Sequence, residues 1–235
     1  AWLKTHYPLY FFKALFNLNK DKQGMLNKYI LDAREFNVEV VCPNVNKSDM
    51  NFKVYNNKVL FGLSAIKGIG ESFAKVIIEE RENNGVYKSL QDFISRVNPT
   101  KTQIISLIKS GAIPAKDKKN MLIKYFIQLY DRKKFKPVNT VPSPYSKLEQ
   151  FGLNVENYRE GKKVDKERLL IDLNKAKEQI FNIEEENRFN KYKNECVEKY
   201  MQNELFWEFE ALQIFLKNNP FDAAYNYLTP FEDTD

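Results

Sequence analysis

Apolar positions recur at helical spacing over most of the chain, and the period shortens to two in one stretch only. Leu9, Phe12, Leu15 and Phe16, then Met25, Tyr29, Ile30 and Ala33, follow the helical period. They predict two helices within residues 9–35, separated by the polar stretch Asn17 to Gly24. Asn37-Val38-Glu39-Val40-Val41 is short and β-branched and runs into Pro43, which suits a strand that stops there. The runs 51–55 and 58–61 flank Asn56-Asn57, and asparagine tolerates positive φ, so a tight hairpin is predicted. Helical spacing resumes over residues 63–83, 89–97, 101–110 and 120–131, with Gly111 placed as a C′ glycine. Residues 165–201 are charged and helical in period, with one apolar stripe of Leu169, Leu170, Leu173, Ala176, Ile180, Phe181 and Ile183. Residues 205–217 are apolar again, and Pro220 and Pro230 bracket a last short segment. The pattern predicts a mainly α chain with a small β-hairpin, paired short helices and a charged helical C-terminal region.

Charge divides the chain. The net charge is +6, yet residues 1–137 carry 24 Lys and Arg against 12 Asp and Glu, and residues 138–235 carry 13 against 19. A basic front can face a polyanion, although a lysine-rich composition has the same effect. Between the halves, residues 132–147 are basic and hold Pro137, Pro142 and Pro144, the best candidate for a linker. No apolar run approaches a membrane span, and residues 2–7 lack the apolar core of a signal peptide. Cys42 and Cys196 have no partner at metal spacing and are expected as free thiols, and the lone His6 cannot build a histidine zinc site. No metal site is expected.

One stretch carries a mechanism. In 61–78 a short apolar helix runs into Gly68-Ile69-Gly70 and then into a second amphipathic helix. Two glycines permit a tight turn, and Ile69 between them can plug the gap between helices. The turn aims backbone N–H groups outward where the second helix starts, and such an end is an anion site. Lys67 and Lys75 flank it and the Ser72 hydroxyl is close, so the group suits one nucleic-acid phosphate. The same pattern also suits a helix–helix turn with no ligand. If Gly70 takes positive φ, a β-branched residue there would misdirect the N–H groups while Leu63, Ile66, Phe73, Ile77 and Ile78 kept the core. A dinucleotide fingerprint is excluded by the missing third glycine, and a Walker loop by the missing Gly-Lys-Ser/Thr. A second helix–turn–helix follows: Ser89 starts one helix, and Thr100 or Thr102 caps the next beside Lys101. It serves equally as a second phosphate contact or as scaffold.

These motifs stand in a familiar order. Trp2 to Pro8 with Phe12-Lys13-Ala14-Leu15, then 29–34 and 38–46, resemble the end of the fingers domain of the bacterial replicative DNA polymerase III alpha subunit, of the C family of polymerases. Phe61 to Gly70, 87–93 and 107–112 are similar to that family's tandem helix-hairpin-helix domain. The stretches 208–216 and 219–222 resemble the segment before its oligonucleotide-binding domain. Gln202-Asn203-Glu204-Leu205-Phe206 resembles the family's sliding-clamp peptide. That would make Leu205 and Phe206 anchors and Gln202 a hydrogen-bonding partner, although both apolar residues also suit a helix core. Residues 114–201 match no part of the family pattern.

Pattern, charge and resemblance together give four regions: a fingers end over 1–50, a β-hairpin with tandem helix-hairpin-helix over 51–113, a helix and basic proline-bearing linker over 114–147, and an acidic helical region with the clamp-like peptide over 148–235. The DNA-contacting residues would be Lys67, Gly68, Ile69, Gly70, Ser72, Lys75, Thr100, Lys101 and Thr102. The expected function is a sequence-indifferent grip on double-stranded or primer–template DNA within a cytoplasmic polymerase. The alternative is a replisome interaction module built on the acidic half. The parent would be a magnesium-dependent nucleotidyltransferase. Its catalytic carboxylates lie outside this segment, so no catalytic residue and no cofactor are expected here.

Overall fold

A computed structural model describes residues 2–216. The matches at 219–222 and the segment closed by Pro230 therefore lie outside the described residues. The chain is mainly helical. The helices are α1 (Trp2–His6), α2 (Pro8–Asn19), α3 (Gln23–Glu35), α4 (Glu71–Asn84), α5 (Leu90–Val97), α6 (Lys101–Ser110), α7 (Lys118–Leu129), α8 (Lys166–Tyr200) and α9 (Trp207–Leu212). Three short strands, β1 (Val40–Val41), β2 (Lys53–Tyr55) and β3 (Lys58–Leu60), form a sheet of order β1-β3-β2, with β1 parallel and β2 antiparallel to β3. Asn56 and Asn57 both take the left-handed conformation that a two-residue hairpin requires. The described residues form two units, 2–122 with 203–216, and Ile123–Gln202.

In the first unit the core begins as a row of aromatic rings. Phe12 and Phe16 of α2 meet Phe52 and Phe61, with ring centroids 6.0, 5.4 and 4.6 Å apart along the row, and all four are buried. Two asparagines lock irregular backbone to this core. Asn17 Nδ2 donates to the Phe52 carbonyl at 3.1 Å while its Oδ1 accepts from the Phe52 N–H at 2.8 Å. Asn46 grips Tyr87 in the same two-pronged way, at 2.9 and 2.7 Å. The loop between them is held by Arg81, which donates to the carbonyls of Val45 and Ser48 at 3.0 and 2.8 Å.

The segment entering the first hairpin lies directly on that loop. Leu63 N–H donates to the Asp49 carbonyl at 2.9 Å and Ser64 N–H to that of Met50 at 3.1 Å. Gly62 permits this approach, because a Cβ there would sit 2.6 Å from the Asn51 carbonyl carbon and 2.7 Å from the Met50 oxygen. Residues 63–65 form a single 3-10 turn rather than the short α-helix the spacing predicts. Beyond α4, Arg96 ties α5 back to it, donating to the Glu80 carboxylate at 2.9 Å and to the Glu80 and Gly85 carbonyls. The Arg96 guanidinium also lies 4.5 Å from the Tyr87 ring centre. Burial pushes the Tyr87 hydroxyl up to about 12. The Arg96 hydrogen bond holds Glu80 below its ordinary value, and the Lys88 N–H, with Arg96 adding to it, does so for Asp92.

The second unit is organised on the 35-residue α8, started by Asp165, whose carboxylate accepts the Arg168 N–H. Leu169 and Leu173 pack with Leu148, and Val138, Val141 and Tyr145 from the proline-bearing stretch join them. Further along, Tyr130 meets Phe189 and Tyr192 at 5.2 and 5.1 Å. The apolar stripe of α8 is core only where these elements cover it, since Ile180 and Ile183 are exposed at 39% and 63%.

Two outcomes follow. In chemical denaturation, Gly62→Ala lowers stability by about 1–3 kcal/mol because backbone, not a flexible side chain, opposes the new methyl. Gly24→Ala, with open space around it, changes stability little or raises it by up to about 1 kcal/mol. The second concerns pH. The depressed Glu80 and Asp92 carboxyls contribute stability that is complete above their ordinary values of 4.5 and 3.8, and it is lost as pH falls through their lowered folded-state values. The melting-temperature gap between the parent and Arg96→Met is therefore full at neutral pH and narrows in acid, leaving the part that rests on the backbone carbonyls and the Tyr87 ring; a gap that widens in acid overturns the assignment.

Candidate nucleic-acid interface

The first hairpin turn is closed by the Ile69 N–H donating to the Ile66 carbonyl at 2.9 Å. Gly68 occupies its third position at φ +85°, where a type II turn requires positive φ. The glycine that needs its freedom is thus Gly68. Gly70 sits at φ −75° and ψ 165°, an extended conformation open to any residue, so strain at Gly70 is not what shapes the turn. Ile69 is 2% exposed and points into the core between the helices. Gly70 is the N-cap of α4 and offers no side chain, and the first helical bond, Ala74 N–H to the Gly70 carbonyl at 3.0 Å, leaves the preceding N–H groups outside the helix ladder. Lys67, Ser72 and Lys75 are exposed around this end, and Lys75 pairs with Glu79 at 3.5 Å on the helix surface.

The second hairpin is built differently. Asn98 takes the left-handed conformation at the end of α5, doing without glycine what Gly68 does in the first turn. Thr100 Oγ1 accepts the Gln103 N–H while Gln103 Oε1 accepts the Thr100 N–H, a complete capping box. The Thr100 oxygen is therefore engaged within the chain. Thr102 is exposed and Lys101 half-buried. The two hairpins touch, since a Cβ at Gly68 would lie 3.5 Å from Ser106 Oγ on α6.

Residues outside the sequence motif complete the surroundings of the first turn. A shallow depression of about 620 Å³ is lined by Lys20, Asp21, Gln213 and residues 64–70. Lys20 Nζ reaches Glu71 Oε1 at 2.5 Å and Asn51 Oδ1 at 3.0 Å. Its hydrogen bond and charge hold the Glu71 carboxyl below the ordinary value. Lys20 lies fifty-one positions from Glu71, so no local spacing announces it. Behind the turn, the Lys67 N–H donates to the Ala211 carbonyl at 2.8 Å, and the buried Trp207 of α9 has the Lys109 ammonium 5.5 Å from its ring centre. Asn27 and Arg34 bond the carbonyls of Gln213 and Phe215, each at 2.6 Å. Of the clamp-like peptide, Leu205 is 72% exposed, Gln202 is exposed, and Phe206 is half-buried with its ring 5.9 Å from Phe215.

Among the described residues no helix is long and apolar enough to cross a membrane. Comparison with known proteins places this geometry. Residues 37–120 match the helix-hairpin-helix motif family. DNA polymerase III subunit alpha of Deinococcus radiodurans is 34% identical over 183 residues, 66% of this chain and 14% of that protein. The Thermus aquaticus subunit is 42% identical over 118 residues, 49% of this chain and 10% of the relative. That of Chlamydia muridarum is 36% identical over 135 residues, 56% and 11% respectively. The chain thus spans 10 to 14% of the length of these relatives. Over half to two thirds of its own length, the chain is homologous to DNA polymerase III alpha subunits and carries a helix-hairpin-helix motif.

Proposed function

We propose that the chain is the segment of a replicative DNA polymerase that grips template–primer duplex by its phosphates. The observation that carries this is the uncapped start of α4 behind the Gly68 turn, within the matched helix-hairpin-helix residues. Backbone N–H groups from 71 onward would bond one phosphate, aided by Ser72 and by the positive end of the helix. Lys67 and Lys75 would add charge at its rim. Lys101 and Thr102 would hold a second phosphate, with a smaller share because the capping box already occupies Thr100. Such contacts read no base, which suits an enzyme that moves over every sequence. Nucleotide addition itself, with its magnesium ions, is assigned to the rest of the parent protein.

The test exploits the empty N-cap. Gly70→Asp fits the extended backbone and open space at that position. It caps α4, stabilising the fold by roughly a few tenths of a kcal/mol, while its carboxylate occupies the N–H groups that a phosphate needs. Fluorescence anisotropy with duplex DNA should show affinity reduced by at least about tenfold, the value of one or two charge-assisted bonds. Gly68→Val should weaken binding similarly by breaking the turn, and Lys75→Ala only slightly. Binding of the parent should fall with salt at a log–log slope of about −0.9 per phosphate neutralised. A Gly70→Asp chain that binds like the parent would show the hairpin to be only a turn.

A second reading rests on Leu205, which is 72% exposed in the short turn Glu204–Phe206 next to the buried Trp207. In it, Leu205 and Phe206 anchor on the sliding clamp with Gln202 hydrogen-bonding nearby. Leu205→Ala should then abolish capture by purified clamp and leave DNA affinity unchanged; equal capture of both chains refutes it.

A further inference from the structure

The basic half that the sequence displays is not one structural region. Assigned by unit, residues 123–202 carry 17 Lys and Arg against 13 Asp and Glu, while residues 2–122 with 203–216 carry 19 against 14, so the basic excess is shared between the units. Much of the second unit's excess is concentrated in Arg132-Lys133-Lys134-Phe135-Lys136, in the stretch that the DNA-binding proposal leaves unused. All four cations are exposed. Arg132 is committed, pairing with Glu186 at 3.2 Å with its guanidinium 4.5 Å from the Phe189 ring centre. Lys133, Lys134 and Lys136 have no ion-pair partner among the described residues.

These lysines do not sit on a loose tether. The chain runs from 130 to 138 without a turn or bend, and α8 fixes it at both ends. The Lys133 N–H donates to Glu185 Oε1 at 3.1 Å. Asn174 accepts the Val138 N–H at 2.8 Å and donates to the Val138 carbonyl at 3.0 Å. Glu185, which also accepts from the Tyr130 hydroxyl at 3.1 Å and pairs with Arg188, is thereby a fixed post. Between the posts Phe135 turns inward, its ring 5.8 Å from that of Phe181. Lys134 and Lys136, on either side of the half-buried Phe135, are both exposed. Lys133 lies nearer α8, beside Glu184 and Arg188 in a shallow depression.

We propose that this pinned basic run is a second DNA-backbone contact, separate from the hairpins. The run presents a row of ammonium groups on a backbone already held by α8, so little ordering is left to be done on binding. The exposed side chains of the run are cationic, and its one aromatic ring, that of Phe135, is half-buried and lies 5.8 Å from that of Phe181. Several exposed lysines on one held stretch of backbone fit a polyanion, and the chain is homologous to DNA polymerase III alpha subunits. The contact would add affinity without sequence preference and release counterions in proportion to the phosphates it covers.

The experiment uses the whole chain with labelled duplex and single-stranded DNA over a salt series. The variant is Lys133→Ala/Lys134→Ala/Lys136→Ala. These side chains are exposed, and circular dichroism and melting should match the parent. The log–log salt slope should become shallower by about 2–3, from roughly 0.9 per phosphate lost on duplex, with affinity at low salt down several-fold. Lys162→Ala/Lys163→Ala, which removes exposed charge elsewhere in the same unit, should change the slope little. An unchanged slope in the triple variant overturns the proposal, and so does an equal loss per lysine in the control, which would mean diffuse attraction only. The Gly70→Asp background separates this idea from the hairpin: the triple substitution should reduce the remaining binding there too, whether or not Gly70→Asp itself has an effect.

Discussion

The first unit depends on one close backbone approach, residues 62–64 lying on residues 49–51. Gly62 allows it and two N–H donors, from Leu63 and Ser64, hold it. One consequence is that the strand β3, which ends at Leu60, and the hairpin turn, which begins at Ile66, are only a few residues from a fixed point. The start of α4 is therefore held by the sheet and this loop in addition to α4's own packing through the buried Ala74 and Ile77. Arg81 closes the circuit from the other end of α4, since it bonds the carbonyls of Val45 and Ser48 in the same loop. A helix anchored at its C-terminal end and preceded by a fixed turn has little freedom to swing its N-terminus. That is what a bare, uncapped end needs if it is to hold an aim without a side chain to steady it.

Much of this was legible because the signals were local. Asn56-Asn57 between alternating runs gives the hairpin, and Ser89 and Thr100 give helix starts whose caps form as the pattern implies. Gly111 stands left-handed after α6 as a C′ glycine does. What spacing could not decide was which member of Gly68-Ile69-Gly70 carries the positive φ, since either glycine can. The answer depends on the Ile66–Ile69 hydrogen bond and on the Lys67 N–H being claimed by Ala211, far along the chain. Asn98 was visible beside Pro99, but its left-handed conformation, which replaces a glycine, follows from the turn it sits in. The period of the α8 stripe is helical throughout, yet spacing alone did not say which of its residues partners would cover: Leu169 and Leu173 are buried and Ile183 stands in solvent.

Long-range polar pairs escaped altogether. Asn17 and Asn46 look like ordinary turn residues, and their two-pronged grips on Phe52 and Tyr87 span 35 and 41 positions. The charge asymmetry between halves was real as arithmetic but not as structure, because the fold returns residues 203–216 to the N-terminal unit. There Glu210 pairs with Lys109, and Glu208 accepts from the Cys42 thiol at 3.1 Å. Glu210 thus offsets one charge of the basic front.

This redistribution bears on how strongly the hairpin can hold an anion. Glu71 stands at the first helical position of α4, where its carboxylate suits the positive helix end, and Lys20 is drawn onto it. A phosphate arriving at the N–H groups would meet a like charge at Glu71 and a cation already engaged, so part of its electrostatic gain is offset by what the free protein already has. With the second hairpin capped by its own threonine, the proposed duplex contact would be a modest grip rather than a tight one. In a parent that slides as proposed, a contact released at every nucleotide step would gain nothing from affinity beyond that needed to stay on. Additional hold is then better added as separate weak contacts, each breaking alone, than by deepening one site.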